Sequence, residues 1–179
     1  MDDIVRQAMA KWPNVPDCFG WLGLDSRGQW HMRDDPVQLQ GSFQSGQPGA
    51  KGSVLRHEKL IEFIHRNYEA DEQGRWYFQN GPQKVFIELE AAPHVWRLNE
   101  RFEPTSHTGQ QAQALQCLVD EIGRVYLNTD LGLGLVHSLD VGLVADAIEQ
   151  GRWAPENCLA KELPKHFGFV ISPQQQLIR

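Results

Sequence analysis

Three short turns of this chain are each followed by side chains that suit ligand binding. The turns share the pattern Asp-x-x-Gly and cover residues 25–28, 71–74 and 120–123. Two arginines, two tyrosines and one histidine follow them at matching positions: Arg75, Arg124, Tyr77, Tyr126 and His31. The guanidinium fork of arginine pairs with carboxylates and phosphates, and the rings add planar hydrogen-bonding groups. The five residues predict a polar sheet face that binds a small anionic or planar ligand; the alternative is a solvated outer face.

A second group suited to chemistry lies where an apolar run ends and a helical pattern begins, at His137-Ser-Leu-Asp140. A histidine beside a helix amino terminus can act as a general acid or base. His137 and Asp140 are therefore the candidate acid/base groups of a small enzyme of hydrolase or lyase type. The alternative is that Ser138 and Asp140 only cap the following helix.

The sequence contains none of the short motifs that are typical of metal sites or phosphate-binding loops. The seven histidines form no H-x-x-x-H pair and the three cysteines form no C-x-x-C pair, so neither a metal site nor a cofactor is predicted. The run Gly132-Leu-Gly134 lacks the third glycine and the Lys-Ser or Lys-Thr ending of a phosphate loop. An odd number of widely spaced cysteines predicts free thiols in a reducing compartment.

The Asp-x-x-Gly pattern also has a purely structural cause. Aspartate at the first position accepts hydrogen bonds from backbone amides across the turn, and glycine at the fourth adopts a left-handed conformation. Alternating apolar and polar residues flank the turns, as in Val85, Ile87 and Leu89. This pattern predicts an α+β fold, a curved antiparallel sheet built from three repeated β-hairpin units with two or three packing helices.

Helical spacing of apolar residues predicts helices over residues 2–12, 54–66 and 141–150. Residues 34–53 are rich in Gly, Gln, Ser and Pro, which predicts a mobile polar loop. Such a loop is either an active-site lid or a polar insertion without a packing role, and we favour the insertion. The length of 179 residues fits a single α+β domain over residues 1–179.

The formal net charge of -6 and the pI near 5.6 oppose a role in binding nucleic acid, which needs basic surface. No apolar run approaches the roughly 18 residues of a membrane span, and the first residues do not resemble a signal peptide. We therefore expect a cytoplasmic protein without a membrane or nucleic-acid partner.

Three segments, VPDCFGWLGLDSRGQW, NYEADEQGRWYFQNGPQKVFIELE and TDLGLGLVHS, resemble a proteobacterial family of proteins of about this length, catalogued as a domain of unknown function. The resemblance implies no activity, cofactor or catalytic residue. The residues themselves favour a bacterial binding or accessory protein that acts on a small ligand or a partner protein, with a homodimer as one possibility. The alternative is the enzyme built on His137 and Asp140.

Overall fold

A computed structural model describes residues 1–178. The fold is mixed α+β, as predicted, and its strands form two six-stranded sheets. The chain divides into two compact units, the first comprising residues 1–25, 29–90 and the described residues from 169 onward, the second residues 26–28 and 91–168. The single curved sheet is not confirmed. The single domain stays a prediction, because a compact unit need not fold alone.

The strands, in chain order, are β1 (Cys18–Leu24), β2 (Trp30–Met32), β3 (Ser53–Val54), β4 (Tyr68–Ala70), β5 (Trp76–Asn80), β6 (Gln83–Leu89), β7 (His94–Leu98), β8 (Pro104–Ser106), β9 (Ala114–Val119), β10 (Val125–Thr129), β11 (Gly132–Val136) and β12 (Pro155–Asn157). The α-helices are α1 (Asp3–Lys11), α2 (Asp35–Gln38), α3 (Glu58–Arg66), α4 (Val141–Glu149), α5 (Leu163–Phe167) and α6 (Pro173–Gln176). Short 3-10 helices cover Ser138–Asp140 and Ala160–Glu162.

The first sheet has the strand order β3-β2-β1-β6-β5-β4. Its two antiparallel halves meet where β1 and β6 run parallel in the centre. The side chains of Leu24, Ile87 and Leu89 on these central strands are at most 1% exposed. The central strands therefore carry the core of the first unit, because burial of apolar surface is the main driving force of folding.

The second sheet has the order β12-β9-β10-β11-β7-β8, with parallel pairing between β11 and β7 and between β12 and β9. Its core contains Trp96 and Leu127, both fully buried, with Val136 and Val144 packed around them. Val144 belongs to α4, whose apolar stripe contacts this cluster as its helical spacing predicts.

Each Asp-x-x-Gly turn joins two antiparallel strands: β1 to β2, β4 to β5, and β9 to β10. In each turn the amide four residues after the aspartate donates to its Oδ1, at 2.8 Å from Gln29, 3.0 Å from Arg75 and 2.8 Å from Arg124. The fourth-position glycines all have positive φ, between 77° and 85°. Two turns belong to the first sheet and one to the second, so the three hairpins do not build one sheet.

Residues 34–53 pack against the first sheet. Phe43 and Ala50 are each 1% exposed, and the Phe43 ring occupies the space beside Gly23, where a Cβ would lie 2.7 Å from its Cδ2. The amide of Gln44 donates to the backbone oxygens of Leu89 and Ile171 at 2.9 and 3.1 Å. The prediction that residues 34–53 have no packing role is therefore wrong. The mobility of the segment stays a prediction.

The second helix and the last part of the chain differ from their sequence predictions. The second helix begins at Glu58 and not at residue 54, with His57 as its N-cap, because Ser53 and Val54 pair with β2 as part of β3. Gly168, at φ 69°, ends α5, and residues 168–171 form no strand. No helix among residues 1–178 combines the length and apolar character that crossing a membrane requires.

Candidate functional site

The five residues of the predicted polar face are divided between the two sheets. His31 and Tyr77 lie on β2 and β5 of the first sheet, and Tyr126 lies on β10 of the second. All three are buried, with exposed fractions of 7%, 7% and 1%. They are not part of a solvated sheet face, and as ligand-binding residues they stay a prediction.

The two arginines of the predicted face are already paired. Arg75 donates its Nε to Asp71 Oδ2 at 2.8 Å, and Arg124 donates its Nε to Asp120 Oδ2 at the same distance. Burial alone would raise the pKa of Asp120, but hydrogen bonds from Arg124 and from the Ile122 amide lower it below its ordinary value. Each guanidinium is thus neutralised by the aspartate of its own turn, which leaves little charge for a ligand.

His31 is bound in the same way, with its Nε2 2.8 Å from Asp25 Oδ2. Tyr126 donates its hydroxyl to Asp120 Oδ2 at 3.1 Å, and burial raises the pKa of this tyrosine well above its ordinary value. In two of the three hairpins, the third residue after the glycine therefore contacts the aspartate of its own turn. This contact explains the matching residue types without a ligand.

The candidate acid/base pair lies in the second unit. Asp140 accepts hydrogen bonds from Arg97 Nε at 2.6 Å, Arg97 Nη2 at 3.2 Å and the Leu98 amide at 2.9 Å. The hydrogen bond from Arg97 lowers the pKa of Asp140. His137 is buried and accepts from the Leu139 amide at 3.1 Å through Nδ1. A catalytic role for this pair stays a prediction, and the contacts of Asp140 favour a structural one.

A cleft of about 350 Å³ opens in the second unit beside the start of β8. Its walls come from residues 101–104, residues 111–114 and the two residues Arg152 and Trp153 that follow α4. We call this the arginine cleft. Its volume falls in the range of small-molecule sites.

The arginine cleft is rich in hydrogen-bond donors that the protein does not use. Within residues 1–178, the guanidinium groups of Arg101 and Arg152 have no carboxylate partner, and Trp153 Nε1 has no acceptor. Glu103 is the one carboxylate in its lining, and it accepts a hydrogen bond from Asn99 Nδ2 at 2.7 Å. Unpaired guanidinium groups with few opposing carboxylates make this a place where an anion is favoured.

The floor of the arginine cleft includes Phe102, the one non-glycine residue among residues 1–178 with positive φ, at 62°. A bulky side chain in this conformation costs about 1 to 3 kcal/mol and persists only where its surroundings enforce it. Here Asn99 Oδ1 accepts from the amides of Arg101 and Glu103, both at 3.0 Å, on either side of Phe102. Such strained residues are concentrated at functional sites.

Arg152 and Trp153 both lie against the ring of Phe102. Arg152 Cζ lies 5.5 Å from the centroid of the Phe102 ring, and the Trp153 ring centroid lies 6.0 Å from that ring at an angle of 61°. The amides of Arg152 and Trp153 both donate to Ala147 O, at 2.8 and 3.4 Å, which tightens the chain after α4. This turn brings two consecutive side chains to the same ring.

Sequence reasoning missed the arginine cleft. Arg101 and Arg152 are 51 positions apart and belong to no motif. The available signal was Phe102-Glu-Pro104 and Gly151-Arg-Trp153, in which aromatic residues adjoin arginines next to turn residues. Such short combinations are common, so they mark a site only when the fold brings them together.

Two other clefts suit an anion less well. One of about 430 Å³ contains Arg75, Tyr77 and Lys84, but Asp71 and Glu72 balance their charge. Another of about 240 Å³ in the first unit is lined mainly by apolar side chains, among them Trp21 and Met32. It lacks a cationic group to hold an anion.

The cysteines are free, as predicted, and none has the properties of a nucleophile. Burial raises the pKa of Cys117 to about 11 and also raises the pKa of Cys18 and Cys158. Thiols with raised pKa stay protonated near neutral pH, and only the thiolate reacts readily. Among residues 1–178, no group of three or more His, Cys, Asp or Glu side chains converges on a point that could hold a metal ion.

One buried histidine of the second unit makes stability depend on pH. His94 is 3% exposed, and burial lowers its pKa from 6.5 to about 4, although the Leu131 carbonyl opposes this shift. Below pH 6.5 the unfolded chain binds a proton that the folded chain binds only near pH 4. The contribution of neutral His94 to the free energy of unfolding is therefore fully present above pH 6.5. It falls by about 3 kcal/mol as the pH drops from 6.5 to about 4.

Urea unfolding of the wild type and of His94→Gln at several values across this pH window tests the effect. Glutamine does not titrate and retains a donor for Leu131 O, so the free energy of unfolding of the variant should fall less steeply with acidification. Equal slopes in the two proteins would contradict the assignment.

Comparison with known proteins places the chain in a family. A crystal structure of a DUF1285 family protein from Silicibacter pomeroyi DSS-3 is similar, with a TM-score of 0.49 and 16% identity, over 82% of this chain and 84% of that chain. No curated protein matches the chain. The model of a family described as "Protein of unknown function (DUF2946)" matches residues 1–174. The chain belongs to this family, in agreement with the proteobacterial family of unknown function that its three segments resemble.

Proposed function

We propose that this protein binds a small anionic ligand, and that the arginine cleft of its second unit is the binding site. The observation that carries this proposal is the pair of unpaired guanidinium groups of Arg101 and Arg152 around one cleft. Arg75 and Arg124, which follow two of the Asp-x-x-Gly turns, are already bound by carboxylates. We therefore assign the anion site to the arginine cleft and not to the sheet face that the sequence predicts.

The net charge of the chain restricts where an anion can bind. A protein with a net charge of -6 repels anions at long range, so an anion binds only where local cations outweigh that field. The arginine cleft supplies two cations, and its side-chain amides of Gln111 and Gln113 add further donors. A charge-assisted hydrogen bond contributes about 1.5 to 3 kcal/mol, so two arginines can hold a small ligand with useful affinity.

A binding or accessory role fits this site better than catalysis. The arginine cleft contains donors but neither a histidine nor a cysteine, and its one carboxylate is engaged by Asn99. General acid/base chemistry needs a group that exchanges a proton near neutral pH. Guanidinium groups bind and orient anions without transferring protons.

A thermal-shift screen of anionic metabolites, followed by titration calorimetry, tests the proposal. We expect an anion that raises the melting temperature of the wild type, because a ligand that binds only the folded state stabilises it. Arg101→Gln and Arg152→Gln should each weaken that ligand about tenfold, since each removes one charged donor.

Arg56→Gln is the matched control, because Arg56 is exposed, has no ion pair among residues 1–178 and lies outside the arginine cleft. It should bind the ligand like the wild type. The proposal fails if no anion binds, or if the double variant of Arg101 and Arg152 binds as tightly as the wild type.

A further inference from the structure

The geometry of the arginine cleft points to a ligand class: we propose that it takes a planar aromatic ring that carries an anionic group, with the ring on Trp153 and the anion on Arg152. This inference rests on the proposed function. It adds that the aromatic side chains, and not the arginines alone, select the ligand.

The position of Trp153 suits a stacked ring. This residue is half-buried and lines the cleft, and its Nε1 has no acceptor within residues 1–178. Tryptophan presents a large rigid face at low cost in side-chain entropy, and its indole N–H usually finds a hydrogen-bond partner when it is buried, as it would be under a ligand. A ring stacked beside it and a nearby acceptor would satisfy both properties.

Arg152 and Trp153 lie against the same ring. Arg152 Cζ lies 5.5 Å and the Trp153 ring centroid 6.0 Å from the centroid of the Phe102 ring. The guanidinium and the indole therefore share one neighbour. A ligand that spans them needs a flat part and an anionic part a few bonds apart.

Phe102 has a left-handed backbone conformation. An extended or helical backbone would place its ring elsewhere, and the turn at Asn99 holds Phe102 at φ 62°. The Phe102 ring is 8% exposed and makes the contacts that orient both Arg152 and Trp153. Phe102 is therefore a positioning residue for the two groups that would touch the ligand.

Binding of matched probes tests this inference on the wild-type chain. AMP and ribose 5-phosphate share a phosphate and differ by the base; phenylpyruvate and pyruvate share a carboxylate and differ by the ring. By calorimetry we expect the aromatic member of at least one pair to bind about tenfold tighter, as stacking of one base on an aromatic side chain provides. The pair that shows the preference identifies nucleotides or aryl acids as the source of the ring.

Variants of the tryptophan complete the test. Trp153→Leu should remove the preference within that pair, Trp153→Phe should keep most of it, and Trp12→Leu, at an exposed tryptophan of the first unit, should leave it unchanged. Equal affinity for both members of each pair in the wild type would overturn this inference while the anion site stands. If none of the four probes binds, this inference is overturned, whereas the thermal-shift screen of anions decides the proposed function. The wild-type comparison remains decisive even if Trp153→Leu does not fold.

Discussion

Replacing Arg33 by leucine should lower the free energy of unfolding by about 3 to 5 kcal/mol, the range expected when one partner of a buried charged network is removed. Arg33 is 1% exposed, and its guanidinium donates to three backbone oxygens: Ala50 at 2.8 Å, Gly20 at 3.1 Å and Gly41 at 2.6 Å. Leucine leaves these oxygens without their donors in a buried site. The effect is large because one side chain connects β1 to residues 34–53.

The charge of Glu88 adds to this loss. Glu88 is 1% exposed, and its negative charge raises the pKa of Arg33 against the lowering that burial causes. Its oxygens accept from Gln44 Nε2 at 3.2 Å and from the backbone amide of Gln174 at 3.1 Å, and both of these donors, the direct partners found among residues 1–178, are neutral. Without Arg33 the nearby buried positive charge is gone and the carboxylate is less well compensated.

Urea unfolding of Arg33→Leu, with Arg6→Leu as the matched control, measures the effect. Arg6 pairs with Asp3 at 3.1 Å, but its side chain is 65% exposed, and exposed pairs contribute little. We expect the control to change the free energy of unfolding by less than about 0.5 kcal/mol. Equal losses in the two variants would show that the buried contacts of Arg33 do not stabilise the fold.

Adding one methyl group at Gly134 should destabilise the second unit by about 3 kcal/mol, the upper part of the range for overpacking in a dense core. Gly134 is buried on β11. A Cβ there would overlap Trp96 Nε1 and lie 2.6 Å from Trp96 Cε2 and 2.8 Å from His94 Cβ. Trp96 cannot move aside easily, because it is fully buried and its Nε1 donates to Leu127 O at 3.1 Å.

Gly142→Ala is the matched control for Gly134→Ala. Gly142 is the second residue of α4, and no atom lies within 4 Å of a Cβ built there. Alanine favours the helix by up to about 1 kcal/mol over glycine, so the control should be as stable as the wild type or more stable. Thermal unfolding of the two variants side by side tests the contrast. If Gly134→Ala unfolds at the temperature of the wild type, the packing argument is wrong.

Local structure was predictable where neighbouring residues decide it. The helices predicted over residues 2–12 and 141–150 are observed at residues 3–11 and 141–149. Alternation and helical spacing are read from a few consecutive residues. The hydrogen bonds of the Asp-x-x-Gly turns span only four residues, so their chemistry was predictable too.

Residues that contact each other across long stretches of chain were not predictable in the same way. The parallel pairing of β1 with β6 joins residues more than 60 positions apart, and this pairing unites the two antiparallel halves of the first sheet. The burial of His31, Tyr77 and Tyr126 likewise depends on what covers each sheet. A period of two identifies the two faces of a strand but not which face meets solvent.

The α+β class, two of the helices and the three aspartate turns follow from the residue pattern, because they depend on interactions between near neighbours. Folding is what pairs the arginines that follow two of those turns with the aspartates and brings Arg101, Arg152 and Trp153 to one cleft. Free charge and open volume are properties of the folded surface. They arise from residues that lie far apart in the chain and meet only after folding.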